Sequence, residues 1–593
     1  MRCISLLFVL LISSCAIAQS DLLAKNYFDQ GEYAKAITIY DKLVRKSPGR
    51  LDYLKSLVEA NQQLENFEEA ERLLKERLNS SRIMPQFYVD LGYNYSLQNK
   101  DIEATQNYDL AIEAIKKHPN YVFNVGKAFQ GFSLLEYAVT AYEIAMELNP
   151  VLDFNVQLAR LYGELGRLEE MFLNYVDLTE KNPSGKGIAQ RNFSLYITET
   201  PSNEANILLK KVLLQKLQKE PNILYNELLS WLFIQQKEYK KAFTQEKAIY
   251  KRTDEDMRGI GDLALIAIAE EDYKNAVPIV NFLVENSSTP ESKLKGHQYL
   301  MKIALKTTSE ENYDKVQKQF EELFETYGRG RTTYLLQIDY SHFLAFQMDK
   351  KGEAIANLKT LAKEKLTSYQ EARVKMELAD ILVNDEKFNQ ALIYYSQIQK
   401  KVQSNVLAQE ARFKVAQTSY FKGDFQWAQI QLDVLRKSAS QLIANDAMEL
   451  SLMIRDNSLE DSTQTALRKY AKADLMSFQN KNAKAIDALD DIITNHKGEK
   501  IEDEALLKQG ELFEKTEDYT KAETNYLKLI EFYGEDILAD DAYYRLAKLY
   551  ENKLGQTEKA KQYYEQIIFE FADSIYFVDA RKRYRLLRGD EIN

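Results

Sequence analysis

Gln30-Gly31-Glu32-Tyr33-Ala34-Lys35-Ala36-Ile37-Thr38-Ile39-Tyr40, with Pro48 closing the segment, sets the template for the whole chain. A glycine precedes an aromatic residue, a small residue follows three positions later, and a second aromatic lies four beyond it. On a helix those last two positions share one face. The small position recurs as Ala36, Ala70, Ala104, Ala138, Met171 and Ala205, at a nearly constant interval. It continues through Ala242, Ala276, Val316, Ala354, Ala391, Ala428, Ala485, Ala522 and Ala560. Fifteen units follow, and a fixed period of this length marks a repeat architecture.

The residue types have a packing logic. Alanine at the anchor lets two antiparallel helices approach closely. The aromatic three before it (Tyr33, Phe67, Tyr239, Tyr273, Phe388, Phe425, Tyr519) fills the space beside that contact. Tyr40, Tyr108, Tyr142, Tyr175, Tyr395, Tyr526 and Tyr564 lie four residues past the anchor and are expected in the core. The template resembles the second helix of a tetratricopeptide repeat. The resemblance implies an all-α solenoid, a superhelix of about fifteen helical hairpins whose first helices line a partner-binding groove. Carried over by position in the third to fifth repeats, that groove includes Tyr93, Phe123, Lys127 and Arg160. The lysine and asparagine pairing by which chaperone-tail readers of the family grip a terminal carboxylate is absent at Asp21 and Lys25, Lys55 and Glu59, and Val89 and Tyr93.

The 593 residues divide into three stretches. Residues 1–19 carry Arg2, an apolar run from Ile4 to Ile12 and Ala16-Ile17-Ala18, the pattern of a secretory signal peptide. Ile12-Ser13-Ser14-Cys15 also resembles a bacterial lipobox, so cleavage after Ala18 and lipidation of Cys15 both stand as readings. Residues 20–290 hold mostly 34-residue repeats. Residues 291–593 hold longer repeats, most with anchors 37 to 40 positions apart, and no proline, which implies longer helices. The 57-residue step from Ala428 to Ala485 predicts an inserted helix near 445–455, followed by a polar loop to Gln464. Asp540 to Ala547, with Asp573-Ser574-Ile575 and Asp579-Ala580-Arg581, resembles repeats of the outer-membrane β-barrel assembly lipoprotein and of periplasmic cell-division coordinators.

A net charge of −11 disfavours nucleic acid as ligand. After export no window approaches the ~20 apolar residues of a membrane-spanning helix. Both cysteines, Cys3 and Cys15, fall within the leader, and the four histidines, His118, His297, His342 and His496, stand far apart. No metal-ligand spacing, phosphate loop or nucleophile elbow occurs, so no catalytic, cofactor-binding or metal residues are assigned. Gly328-Arg329-Gly330-Arg331 reads as a glycine-terminated helix. Asp490-Asp491 and Asp540-Asp541 are neighbours in sequence whose side chains point about 100° apart. Arg581, Lys582, Arg583, Arg585 and Arg588 put five cations in eight residues, as a polar cap or as a patch for an anionic partner.

The expectation is a non-catalytic scaffold or adaptor without a cofactor, placed in the periplasm or on the periplasmic face of the outer membrane and binding envelope proteins. The competing readings are a lipoprotein that captures a glycan or assists envelope assembly, and a peptidoglycan-acting enzyme. With repeats running to the chain end and two tryptophans, Trp231 and Trp427, both alternatives rank behind the scaffold.

Overall fold

The computed structural model describes residues 20–80, 84–253, 256–403, 405–438, 441–458 and 464–590. Cys15 and the rest of the 1–19 segment lie outside them, as do 459–463 of the polar loop. Among the described residues the ordered elements are α-helices and four short 3-10 turns, with no strand. The chain forms two compact units, one up to Arg252 and one from Thr253 onward. The first holds seven hairpins, from 20–29 paired with Tyr33–Lys46 to Ile223–Gln235 paired with Tyr239–Tyr250. The second holds eight, from Arg258–Ala269 with Tyr273–Asn286 to Ala539–Asn552 with Thr557–Glu570. It also contains the helix Gln441–Asp456 and the terminal helix Phe577–Arg588. Pro290 is the first residue of helix Pro290–Thr307, inside the second unit.

Thirteen of the fifteen hairpins are made by a turn whose chemistry is local. Five residues before the anchor the backbone enters the left-handed region at Gly31, Glu65, Asn99, Ser133, Gly166, Lys237, Glu271, Asp349, Glu386, Gly423, Asn480, Glu517 and Gly555. The first helix ends there in a Schellman arrangement. At the second repeat, for example, Glu65 N–H donates to the Gln62 carbonyl and Asn66 N–H to the Asn61 carbonyl. The next helix begins within two residues, so the tight turn fixes the antiparallel pairing.

All fifteen anchors are buried, and so are the seven tyrosines four residues beyond them. The fit is tightest where a glycine of the first helix faces such a tyrosine sixteen residues later. A Cβ on Gly92 would lie 2.4 Å from Tyr108 Cε1, one on Gly126 2.6 Å from Tyr142 Cζ, and one on Gly510 2.5 Å from Tyr526 Cε1. Glycine removes the side chain that would hold the helices apart.

Tyrosine rather than phenylalanine fills these positions because the ring packs inside while the hydroxyl reaches the repeat edge. Tyr395 donates to Asp380 at 2.5 Å, Tyr564 to Glu551 at 2.6 Å and Tyr526 to Glu514. The longer late repeats put their extra residues mainly into the first helix. Val122–Gly131 and Asn155–Glu164 have 10 residues, whereas Ser368–Asn384 has 17 and Val406–Phe421 has 16. Second helices stay near 14, as in Leu135–Leu148 and Phe388–Lys401.

Candidate partner-binding surface

In the second unit successive first helices lie side by side, and their charged residues form a ladder at repeat spacing. Lys414 Nζ sits 3.4 Å from Asp380, Lys508 Nζ 3.2 Å from Asp474, and Arg545 Nη2 2.5 Å from Glu511. In each pair the cation follows its carboxylate by one repeat length. At one end His342 Nδ1 meets Glu377 at 2.9 Å, and at the other Arg583 bridges Glu551 at 2.9 Å and Asp579 at 2.6 Å. These half-buried pairs fasten neighbouring repeats along one face. A counterpart in the first unit is looser: Lys55 Nζ is 3.9 Å from the buried Asp90.

The surroundings of this face perturb its ionisable groups. Glu410 and Glu449 are exposed to solvent, yet burial by the surrounding protein raises both carboxyls above their ordinary value. Asp339 is pushed up to about 6 by burial, against the opposing field of Lys302. Burial opposes the charges on His342 and Lys508 but is outweighed. His342 is raised by its bond to Glu377, and Lys508 is raised by Asp474 and Glu511. Burial, with Asp503 beside it, raises the Glu504 carboxyl well above its ordinary value.

The groove predicted in the third to fifth repeats is assembled differently. Tyr93, in helix Gln86–Ser96, is half-buried and stacks on Phe132 at 4.0 Å, which makes it a packing residue. Phe123 is 62% exposed on helix Val122–Gly131, with exposed Lys127 one turn further on the same face. Arg160 is exposed on helix Asn155–Glu164, and its positive charge opposes the rise that burial gives the Tyr175 hydroxyl. The four lie on the first helices of three successive repeats.

The terminal cations divide. Arg583 is held by Glu551 and Asp579, while Arg585 and Arg588 both pair with Asp590. Arg581 and Lys582 are exposed on the same helix.

Other sequence features resolve into packing. Gly328 ends helix Tyr313–Tyr327 with φ 77°, and the Arg329 guanidinium lies 4.0 Å from the Phe324 ring and 2.6 Å from Glu321. Asp491 pairs with Lys469 at 2.7 Å, and Asp541 accepts from the Tyr576 hydroxyl at 2.6 Å. Among the described residues no cluster of three or more His, Cys, Asp and Glu could hold a metal, and no helix is long and apolar enough to cross a membrane.

Family comparisons bear on both ends of this architecture. Models described as tetratricopeptide repeat match residues 22–81, 504–535 and 541–574. These stretches are tetratricopeptide repeats. The matches fall on the first two hairpins and on the last two, and the tetratricopeptide anchors Ala36, Ala70, Ala522 and Ala560 lie inside them. No curated protein sequence matches the chain. Among solved structures, one of Naa15/Naa10 bound to HypK-THB is 12% identical, with 97% of each chain covered and a TM-score of 0.29. The APC/C hetero-tetramer Cut9-Hcn1 is 13% identical, covering 89% of this chain and 96% of that one at a TM-score of 0.26. A tetratricopeptide repeat protein from Parabacteroides merdae is 15% identical, covering 49% of this chain and 96% of that one at 0.24. The solenoid itself is read from the helix pairing.

The ladder face lies in the longer, less regular repeats, away from the positions that the tetratricopeptide resemblance implies. Its signal was available as a carboxylate followed one repeat later by Lys or Arg, three times over.

Proposed function

We propose that the chain is a non-catalytic scaffold of the cell envelope that holds partner proteins along the first-helix face of its second unit. The observation that carries this reading is the row of repeat-spaced ion pairs between first helices running from His342 to Arg545. Stacked hairpins bury their hydrophobic residues against neighbours and leave such a face to meet an extended or helical partner. The tetratricopeptide repeats support protein partners as the ligand class. The envelope setting rests on the export pattern of residues 1–19, with Cys15 as the residue that a lipid anchor would modify. Phe123 and Lys127 in the first unit, and Arg581 and Lys582 at the terminal helix, are further docking positions under the same reading.

A photo-crosslinking amino acid placed at Lys414 or Glu449, and at Asp433 on a second helix as control, tests the reading in intact envelopes. Crosslinks to protein from the two groove positions, absent from Asp433, are expected. Equal labelling at all three, or none, defeats the scaffold reading of this face. Glycan binding by the purified chain favours the capture alternative, and globomycin-sensitive processing assigns lipidation to Cys15.

A further inference from the structure

We propose that the furrow between the second helices Phe388–Lys401 and Phe425–Ser438 docks an amphipathic helix of a partner protein, one that carries acidic residues about two turns beyond its apolar anchor. This face is separate from the first-helix ladder, and the inference goes beyond the reading given above.

The departure is visible against the repeat itself. Two residues past the anchor a second helix meets solvent, and that position is polar in most repeats, as at Thr38, Arg72, Thr140 and Thr524. It is a large aliphatic residue in two neighbouring pairs of repeats, Leu173 with Ile207 and Ile393 with Ile430. Ile393 is 58% exposed and Ile430 49%. The residue just before the anchor is charged or an amide in the other repeats except at Tyr137, but in the twelfth it is Trp427, 46% exposed. Three large apolar side chains thus stand in water where the repeat calls for polar ones.

The three converge on one furrow. Helix Val406–Phe421 packs against both second helices, which do not pack closely on one another, and Lys422 just past its end donates to Asn389 at 3.2 Å. Trp427, Ile430 and Val434 share one side of their helix by spacing. Gln429 leaves from the opposite side and bonds Ser451 of the inserted helix, so the tryptophan stripe faces back toward Phe388–Lys401. Tyr137, in the register of Trp427, leans the same way, with its ring 5.1 Å from that of Tyr108 on the preceding second helix. On the opposing wall a hollow of about 310 Å³ is lined by Leu392, Ile393, Ser396, Gln397 and Lys400. Asp433, bonded to Gln429 at 3.4 Å, lies on the far side of its helix and outside the furrow.

Charge at one end selects the occupant. Helix Phe388–Lys401 contains no carboxylate, and Phe425–Ser438 contains Asp433 alone, which faces Arg436 at 3.5 Å. Lys401 is held by Glu371. Lys400 and Lys437, each nine residues past its anchor, are exposed at the same end of the furrow, and among the described residues neither has a carboxylate partner. In the first-unit pair the cations are already engaged between the two helices, Lys211 with Glu169 at 2.7 Å and Lys216 with Glu180 at 3.1 Å. Seven residues separate each isoleucine from its lysine, a rise of about 10 Å. A furrow flanked by helices accepts a ridge of side chains, which a helix presents and a bilayer surface does not, and acidic residues on that helix meet the two lysines.

The test uses the full chain with Trp231→Phe, which leaves Trp427 as its one tryptophan. The probes are three 18-residue model helices without aromatic residues. One has a leucine stripe flanked by glutamates, one has lysine in place of glutamate, and one shuffles the glutamate sequence so that its leucines share no face. The glutamate helix is expected to bind at one equivalent, to shift Trp427 emission to shorter wavelength, and to bind about tenfold more tightly than either other helix. Ile393→Ser with Ile430→Ser is expected to weaken it by more than about tenfold while leaving the urea midpoint in place, since both side chains are exposed. Lys400→Gln with Lys437→Gln should bring the glutamate and lysine helices within about twofold of each other. Leu173→Ser with Ile207→Ser, at the same register in the first unit, should leave the affinity unchanged.

No emission shift, equal binding of the three helices, or an equal loss from the first-unit pair overturns the proposal. So does a shift with phosphatidylglycerol vesicles and none with the glutamate helix, which assigns the furrow to lipid. Crosslinking from Lys414 and Glu449 reads the ladder face separately, so either inference can fall while the other stands.

Discussion

Gly510→Ala probes one of the closest helix approaches of the fold. The new methyl carbon would stand 2.5 Å from Tyr526 Cε1 and 2.9 Å from Cζ, where an unstrained contact needs at least 3.4 Å. The ring cannot swing aside cheaply, because Tyr526 is fully buried and its hydroxyl is tied to Glu514. Relief requires a shift of about 1 Å between helices Ile501–Lys515 and Tyr519–Tyr533, an overpacking cost of about 2 to 3 kcal/mol. Alanine returns about 1 kcal/mol of helix propensity, leaving a net loss of about 1 to 2 kcal/mol.

Gly261→Ala is the matched control, since nothing lies within 4 Å of its added carbon in helix Arg258–Ala269. It should gain up to about 1 kcal/mol. Urea unfolding ranks the two variants, and hydrogen exchange over 501–533 locates the loss within the array. In a Tyr526→Leu background the penalty of Gly510→Ala should vanish. Gly510→Ala matching Gly261→Ala in stability, or keeping its full cost once the tyrosine ring is gone, refutes the close-approach account.

Four further outcomes are expected. Glu65→Gly relieves a left-handed residue in the second hairpin turn and should raise the unfolding free energy read by urea titration by about 0.5 to 1 kcal/mol, whereas Glu65→Val should lower it. Ala391→Leu forces a large side chain into a fully buried anchor and should cost at least about 1 to 3 kcal/mol, read as early loss of exchange protection over 368–401. Burial pushes the Asp90 carboxyl up from 3.8 to about 6, so the folded chain holds that proton more tightly than the unfolded one. Its stabilising protonation is complete in acid and lost as pH rises from about 4 to 6. Asp90→Asn should therefore match the parent at pH 4 and exceed it by about 2 kcal/mol at pH 7 by urea titration. Lys508→Met leaves Asp474 and Glu511 facing each other and should cost about 1 to 2 kcal/mol, discounted for partial exposure, with recovery by Asp474→Asn in a double-mutant cycle.

The period of the small anchor made the helical hairpins legible, because an alanine returning once per repeat has one physical use, the close crossing of two helices. The structure buries each one, from Ala36 to Ala560, and buries the tyrosines four residues on. The turn residues were less legible. Gly31, Gly166, Gly423 and Gly555, and more weakly Asn99, Asp349 and Asn480, signal a left-handed backbone by type, while Glu65, Lys237 or Glu517 reach it because the flanking helices impose it. The groove in the third to fifth repeats was placed by analogy of position, and Tyr93 there stacks on Phe132 and Arg160 reaches Tyr175.

What the amino-acid sequence determined alone is the unit and its count: apolar spacing and small anchors act between residues near in the chain, so they survive in one dimension. What only the tertiary structure decided is where charge collects. Lys508 faces Asp474 across one repeat, Glu449 enters from an inserted helix, and Tyr420 ends among acidic groups far downstream in the chain. Electrostatic neighbours are set by stacking in space, and their perturbation depends on how much protein surrounds them, a quantity the order of residues does not contain.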